Sequence, residues 1–281
     1  MVKVIKSIGS MKKLSFGFKK KGISIGLVPT MGYLHDGHLS LVKEAKKRND
    51  VVVVSIFVNP TQFGPKEDLK NYPRDLKKDI KLLSKYDVDA VFYPDASDIY
   101  PKGYKTYIKV EGLSDKLCGR SRPIHFRGVA TIVAKLFNII KPDAAYFGEK
   151  DFQQQVIIKK MVSDLNMDVR VVSMPTVRES DGIAMSSRNS YLSKKERMKA
   201  LVINRALKMA KILVKSGVRN ASKVKAAMSQ LMRSAKGLKI DYISICDPNT
   251  LEETNIIKGK SLIATAAYIG KTRLIDNILV R

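Results

Sequence analysis

Two of the three histidines in the chain, His35 and His38, stand in the segment Pro29-Thr30-Met31-Gly32-Tyr33-Leu34-His35-Asp36-Gly37-His38. At the start of a helix, a spacing of three puts both on one face of the first turn. Neutral imidazoles so placed can donate hydrogen bonds to phosphate oxygens without bringing fixed charges that must be desolvated. Gly32 and Gly37 are expected to let the backbone approach a ligand closely. A capping histidine beside a satisfied core histidine would be the bland alternative. It fits poorly with two of three histidines falling in one turn.

Three further clusters carry groups of the same kind. In Phe57-Val58-Asn59-Pro60-Thr61-Gln62-Phe63-Gly64, Gln62 offers a donor and an acceptor together, suited to a ligand with both hydroxyl and carboxylate. Asn59 before Pro60 reads, on its own, as a turn former. In Phe147-Gly148-Glu149-Lys150-Asp151-Phe152-Gln153-Gln154, Lys150 would put a cation at the positive end of a helix dipole. That is a poor stabiliser and a good anion trap. Ala184-Met185-Ser186-Ser187-Arg188, just after Gly182, combines hydroxyls and a guanidinium as a mobile clamp on a polyphosphate would.

The elements that must position these clusters alternate. Apolar runs at Ile23–Val28, Val51–Val58, Ala90–Tyr93, Ala144–Phe147 and Val169–Ser173 read as strands. Between them His38–Lys47, Asp75–Tyr86, Phe126–Ile140 and Phe152–Leu165 carry helical spacing. Repeated β-then-α units imply an α/β fold with a doubly wound parallel sheet. In such a sheet ligands bind at the carboxyl ends of the strands, where the first three clusters fall. After Pro175 the order changes: helices over Ser193–Val214 and Ala221–Ala235, then strands over Lys239–Ile245, Ser261–Ile269 and Leu274–Val280. A sheet domain over residues 1–176 and a smaller C-terminal α+β domain over 177–281 are expected.

Composition narrows the class. A chain of 281 residues with 44% hydrophobic and 28% charged residues can fold as a globular protein of two parts. No stretch nears the roughly 20 apolar residues of a membrane span, and no export signal precedes the first strand. Cys118 and Cys246 stand alone, without metal-ligand spacing, and read as structural. A cytoplasmic protein with no membrane partner is expected. Lys+Arg 52 against Asp+Glu 26 gives a formal charge of +26, which would attract any polyanion. The more basic C-terminal part has only Tyr191, Tyr242 and Tyr268 as aromatics, too few to stack single strands. A lysine-rich solvated surface, with no nucleic-acid partner, is the expectation.

In this order, the histidine segment, Asn59-Pro60-Thr61-Gln62-Phe63, Tyr72-Pro73-Arg74-Asp75, Phe147–Gln154 and Met185-Ser186-Ser187-Arg188-Asn189 resemble the pantothenate synthetase, or pantoate–β-alanine ligase, family over essentially the whole chain. The histidine pair is shared with the wider nucleotidyltransferase superfamily; the other motifs are more specific. The resemblance implies a Rossmann-like fold, a homodimer, and condensation of pantoate with β-alanine through a pantoyl adenylate, releasing AMP and pyrophosphate. It implies an ATP site of Pro29, Met31, Gly32, Tyr33, Leu34, His35, Asp36, Gly37 and His38, with His38 as proton donor. Gly148, Glu149, Lys150, Asp151, Val177, Met185, Ser186, Ser187 and Arg188 complete that site, and His35 and Lys150 join His38 in catalysis. Gln62, Gln154 and Asn59 would hold pantoate, and Gln62 also β-alanine. Asp79 would hold the magnesium that accompanies ATP. The chain departs from the family at Ile124, where glycine is usual before His125. A β-branched residue resists positive φ, so His125 is not carried over as a ligand contact.

Two other classes remain open on the sequence: another adenylate-forming nucleotidyltransferase, and a nucleic-acid-binding protein motivated by charge. Amide formation without tRNA separates the first. Steep salt dependence of nucleic-acid binding identifies the second.

Overall fold

Six parallel strands form the central sheet of the computed structural model, which describes residues 2–65 and 67–281. In chain order they are β1 (Lys3–Ile5), β2 (Ile25–Thr30), β3 (Val51–Ile56), β4 (Ala90–Phe92), β5 (Ala144–Gly148) and β6 (Arg170–Met174). Across the sheet they run β1-β4-β3-β2-β5-β6. The chain thus builds outward from β2 through β3 to β4, then crosses back to place β5 on the other side of β2. This reversal opens a crevice beyond the carboxyl ends of β2 and β5.

Helices cover both faces: α1 (Ile8–Lys20), α2 (Asp36–Arg48), α3 (Leu76–Leu83), the short α4 (Ala96–Ile99) and α5 (Cys118–Ser121), α6 (His125–Ile140) and α7 (Phe152–Asp164). β3 explains why its residues are nearly all β-branched. Val51 and Val53 pack with Met11 of α1 and with α6 and α7, while Val52, Val54 and Ile56 pack with Leu39, Val42 and Ala45 of α2. A strand covered on both faces needs apolar residues at both parities. Most of α6 is buried, from Phe126 to Ile140, so it is a core helix rather than an amphipathic surface one.

β1 and α1 precede the first strand legible in the sequence. In α1 only Met11 and Ser15 are fully buried and four lysines dilute the apolar spacing. The helix expected over Asp75–Tyr86 is shorter. Asp75 caps its start by accepting the Lys78 N–H, and a 3-10 turn over Ser84–Tyr86 closes it at Asp87, whose φ is 50°. The helix expected from His38 begins earlier, at Asp36.

The C-terminal part contains α8 (Lys194–Lys215), α9 (Ala221–Arg233) and an antiparallel sheet of β7 (Leu238–Cys246), β8 (Ser261–Ile269) and β9 (Thr272–Val280), in the order β7-β8-β9. Ser193 and Glu196 cap α8 reciprocally: the Ser193 Oγ accepts the Glu196 N–H, and the Glu196 carboxylate accepts the Ser193 N–H. Alternate residues of β8 serve two cores. Leu262 and Ala264 join the core of α6 and α7, and Ile263 and Ala267 join that of α8 and α9. The small sheet is therefore a middle layer. No helix among the described residues is long and apolar enough to cross a membrane.

Candidate active site

A cavity of about 1260 Å³ opens at the crevice between β2 and β5. Its walls come from the segments after β2, β3 and β5, from residues 175–191, and from the start of β9.

The segment after β2 enters its helix through two left-handed residues, Gly32 at φ 81° and Tyr33 at φ 52°. Asp79 of α3 holds this turn: its two carboxylate oxygens accept the Tyr33 and Leu34 N–H groups, each at 2.8 Å. The Thr30 hydroxyl accepts the Gly32 N–H at 3.1 Å. A side chain at residue 32 would strike Ile56 at 2.9 Å, so the turn itself requires a glycine there. Gly37 lines the cavity. A Cβ there would lie 2.9 Å from two atoms of the His35 ring, so the missing side chain makes room for the imidazole.

The two imidazoles lie 4.0 Å apart, centroid to centroid, tilted by 33°. The His38 Nδ1 accepts the His35 backbone N–H at 3.4 Å, which puts the proton of the neutral ring on Nε2 as a donor. Burial, with help from His35 and Lys150, holds the His38 pKa well below the usual 6.5. Burial, reinforced by Lys150, lowers His35 to about 4. Both rings are neutral at pH 7. The His35 Nδ1 is buried and has no hydrogen-bond partner among the described residues, an arrangement that a bound ligand atom can complete.

Asp79, expected as a magnesium ligand, stands at the edge of this turn in α3. It is 1% exposed, both oxygens are engaged by the turn, and burial raises its pKa. It fits a structural carboxylate. Among the described residues no group of three His, Cys, Asp or Glu side chains could hold a metal ion.

After β3, a 3-10 turn over Pro60–Gln62 carries Gln62 into the cavity wall. The Gln62 Oε1 accepts the Asn59 amide at 3.0 Å, and its Nε2 donates to the Met31 sulfur at 3.1 Å. Asn59 is engaged on every side. Its amide also donates to the Gly128 carbonyl at 3.1 Å, and its Oδ1 accepts the Thr61 and Tyr100 hydroxyls at 2.9 and 2.8 Å. It orients Gln62 and itself lines the cavity. The turn also rests on α6, because a Cβ at Gly128 would come within 2.5 Å of the Thr61 carbonyl and 2.6 Å of the Gln62 backbone. Ile124 sits at φ −93°. The position needs no positive φ, and the departure from glycine leaves the turn intact.

After β5, Lys150 and Asp151 line the cavity. The Asn277 amide of β9 donates to both the Glu149 and Lys150 carbonyls at 2.9 Å, fixing this turn from the far end of the sequence. Three consecutive glutamines then point about 100° apart around α7. Gln153 binds Cys118 and the Leu113 and Lys116 carbonyls, Gln155 donates to the Phe147 carbonyl, and Gln154 faces the cavity. Both cysteines are free and buried.

The fourth wall is Met185–Arg188. The Ser187 hydroxyl donates to the Tyr33 carbonyl at 3.2 Å. Arg188 makes a two-pronged ion pair with Asp68, both contacts at 2.9 Å, and lies over the Tyr72 ring. A parallel pair joins Arg122 to Glu67 at 3.0 and 2.6 Å. Glu67, Asp68 and Tyr72 also line the cavity. Neither carboxylate carries a sequence-based expectation, although two adjacent acids in so basic a chain are the signal that could have found them.

The structure thus brings Pro29, Met31, His35, Gly37 and His38 to one cavity with Gln62, Gln154, Gly148, Lys150 and Asp151. Val177, Met185, Ser186, Ser187 and Arg188 close it. Gly32, Tyr33, Leu34, Asp36 and Glu149 stand outside the lining. Leu34 is buried in the α2 core, Tyr33 stacks under Lys78, and Asp36 opens α2.

A doubly wound sheet that gathers two neutral histidines, a lysine and an arginine at its switch point defines an α/β enzyme for anionic substrates. The family model described as pantoate-beta-alanine ligase matches residues 3–279. A pantothenate synthetase of Pseudothermotoga lettingae is 57% identical over 277 residues, 99% of this chain and 98% of that one. The crystal structure of the pantothenate synthetase of Thermus thermophilus superposes with a TM-score of 0.92 at 41% identity, covering 99% of both chains. The pantoate-beta-alanine ligase of Francisella tularensis, complexed with beta-gamma ATP and beta-alanine, has a TM-score of 0.83 at 37% identity, covering 99% of this chain and 98% of that one. The chain belongs to the pantoate-beta-alanine ligase family, and it is a ligase of pantothenate formation.

Proposed function

We propose that the cavity binds ATP, pantoate and β-alanine together and couples the two acids in two steps. A pantoate carboxylate oxygen attacks the α-phosphorus of ATP and pyrophosphate leaves. The β-alanine amine then attacks the acyl carbon of the pantoyl adenylate and AMP leaves. A carboxylate is already nucleophilic at neutral pH, so the first step needs alignment and charge stabilisation rather than a strong base.

One observation carries this reading: His35, His38, Lys150 and the Ser186–Arg188 wall face one cavity, with Gln62 and Gln154 among its other residues. The His38 Nε2–H and Lys150 would stabilise charge on the departing phosphates. With its pKa held below 6.5 by burial, His38 would act as a hydrogen-bond donor rather than a charged acid. Gln62 and Gln154 would hold pantoate, and Gln62 would also meet β-alanine. The hydroxyls of Ser186 and Ser187 and the Arg188 guanidinium suit the triphosphate, and residues 177–281 would cover the cavity so that water does not consume the adenylate. Magnesium would enter with ATP, bound by its phosphates, with Asp79, whose oxygens also hold the turn, as the candidate protein ligand. A cytoplasmic homodimer without nucleic-acid partners completes the proposal, on the family resemblance and, for nucleic acid, the scarcity of aromatics in the more basic part; sedimentation tests the dimer.

The decisive experiment is exchange of labelled pyrophosphate into MgATP with pantoate present and β-alanine absent. Exchange that depends on pantoate is expected. AMP release without both acids would contradict the scheme.

A further inference from the structure

The Gln62 carbonyl ends a 3-10 turn, where a carbonyl lacks a partner within its own turn. Among the described residues the donors that reach it are side chains: His125 Nδ1 at 3.0 Å and Arg122 Nη2 at 3.4 Å. Because a carbonyl only accepts, the His125 ring must carry its proton on Nδ1. His125 is the first residue of α6, one turn before Gly128, where the helix touches the backbone of Thr61 and Gln62. The Asn59 amide closes the same arrangement by bridging the Gly128 carbonyl and the Gln62 side chain.

We propose that His125 is a positioning residue for the acid-substrate side of the site: by donating to the Gln62 carbonyl it fixes where the Gln62 amide is presented to pantoate and β-alanine. The first turn of α6 then acts as a jig. His125 holds the end of the Gln62 turn and Gly128 sets its depth. The nucleotide-facing residues are fastened elsewhere, His38 to the His35 backbone and the Lys150 turn to Asn277. The jig should therefore influence the acids and not ATP. This rests on the assignment of Gln62 to the acid substrates made above.

The test uses three variants of the full chain, with KM for each substrate, kcat and the melting temperature measured together. His125→Asn places an amide N–H close to the position of Nδ1, whereas His125→Gln places it at the position of Nε2, out of reach of the carbonyl. His125→Ala and His125→Gln are expected to raise KM for pantoate and β-alanine by about tenfold, the loss of a buried hydrogen bond. KM for ATP should stay within about twofold, since the nucleotide contacts are untouched. His125→Asn should recover most of the loss. Should His125→Ala fail to fold, the Asn and Gln pair still decides the matter. Equal behaviour of Asn and Gln, or a parallel rise in KM for ATP, would overturn the positioning role. A Gln62→Ala variant with unchanged KM for pantoate and β-alanine would instead overturn the assignment of Gln62, and the two failures are thereby distinct.

Discussion

The two walls of the cavity that flank the histidine pair are built from different forces. The Asn59–Gln62 wall is held chiefly by neutral hydrogen bonds among buried groups, with Asn59 1% and Gln62 8% exposed, and the one charged donor, Arg122, reaches the Gln62 carbonyl at 3.4 Å. The Met185–Arg188 wall is held by a half-buried ion pair to Asp68, one hydroxyl contact to Tyr33 and the Met185 N–H donated to the Val177 carbonyl. Buried neutral networks are rigid and costly to disturb. An ion pair with solvent at its edge exchanges partners at little cost. The first kind suits a wall proposed to hold the two acids in one orientation. The second suits a wall proposed to receive a triphosphate, because a guanidinium parked on a carboxylate is already ordered and can be handed to phosphate.

The largest expected effect lies between the walls. His38→Ala should lower the rate of adenylate formation by about 10²–10³ while ATP binding falls far less, as for loss of one preorganised donor. Single-turnover measurement of pyrophosphate release checks this, and an unchanged rate would remove His38 from the chemistry. Next, Gly128→Ala should break the neutral wall. Its Cβ would meet backbone atoms at 2.5–2.6 Å that no side-chain rotation relieves. A loss of about 1–3 kcal/mol is expected, read from denaturant unfolding.

A smaller effect comes from pH. His35 and His38 have depressed pKa values when folded, so the unfolded chain takes up protons below pH 6.5 while the folded His35 waits until about 4. Stability should therefore be fully present above 6.5 and fall as pH drops, by at most about 1.4 kcal/mol per pH unit for each group. Denaturant titrations at pH 7, 6 and 5 on wild type and His35→Ala would show a shallower dependence in the variant. The smallest effect should be that of Asp68→Asn. It leaves Arg188 unpaired, and ATP is expected to bind a few-fold tighter, in keeping with a partly exposed pair worth about 1 kcal/mol or less. Calorimetric titration measures it. A large loss of ATP affinity would mean that the charged wall is as rigid as the neutral one, and the contrast between them would vanish.

What the sequence disclosed follows the same division. β2, β3 and β5 were legible because burial on both faces demands continuous apolar runs, and the histidine segment because two rare residues share a turn. Local geometry was harder to read. Nothing in the string separates Gln154 from Gln153 and Gln155, which helical rotation alone sends in different directions. The tasks of Asp79, Asp68 and Glu67 depend on contacts with residues 46, 120 and 55 positions away. Such pairings are created by the fold and leave no periodic trace. Gly37 shows a local case: a Cβ there would meet the His35 ring two residues back, a crowding that the string does not display.

One consequence concerns the order in which the molecule becomes competent during synthesis. The turn that presents Lys150 is fastened by Asn277, which emerges from the ribosome 127 residues later. Part of the sheet's own core is late as well, since Leu262 and Ala264 of β8 pack with α6 and α7. A fragment ending before β9 would lack the Asn277 clasp, and its Lys150 turn should be cut by protease more readily than that of the full chain.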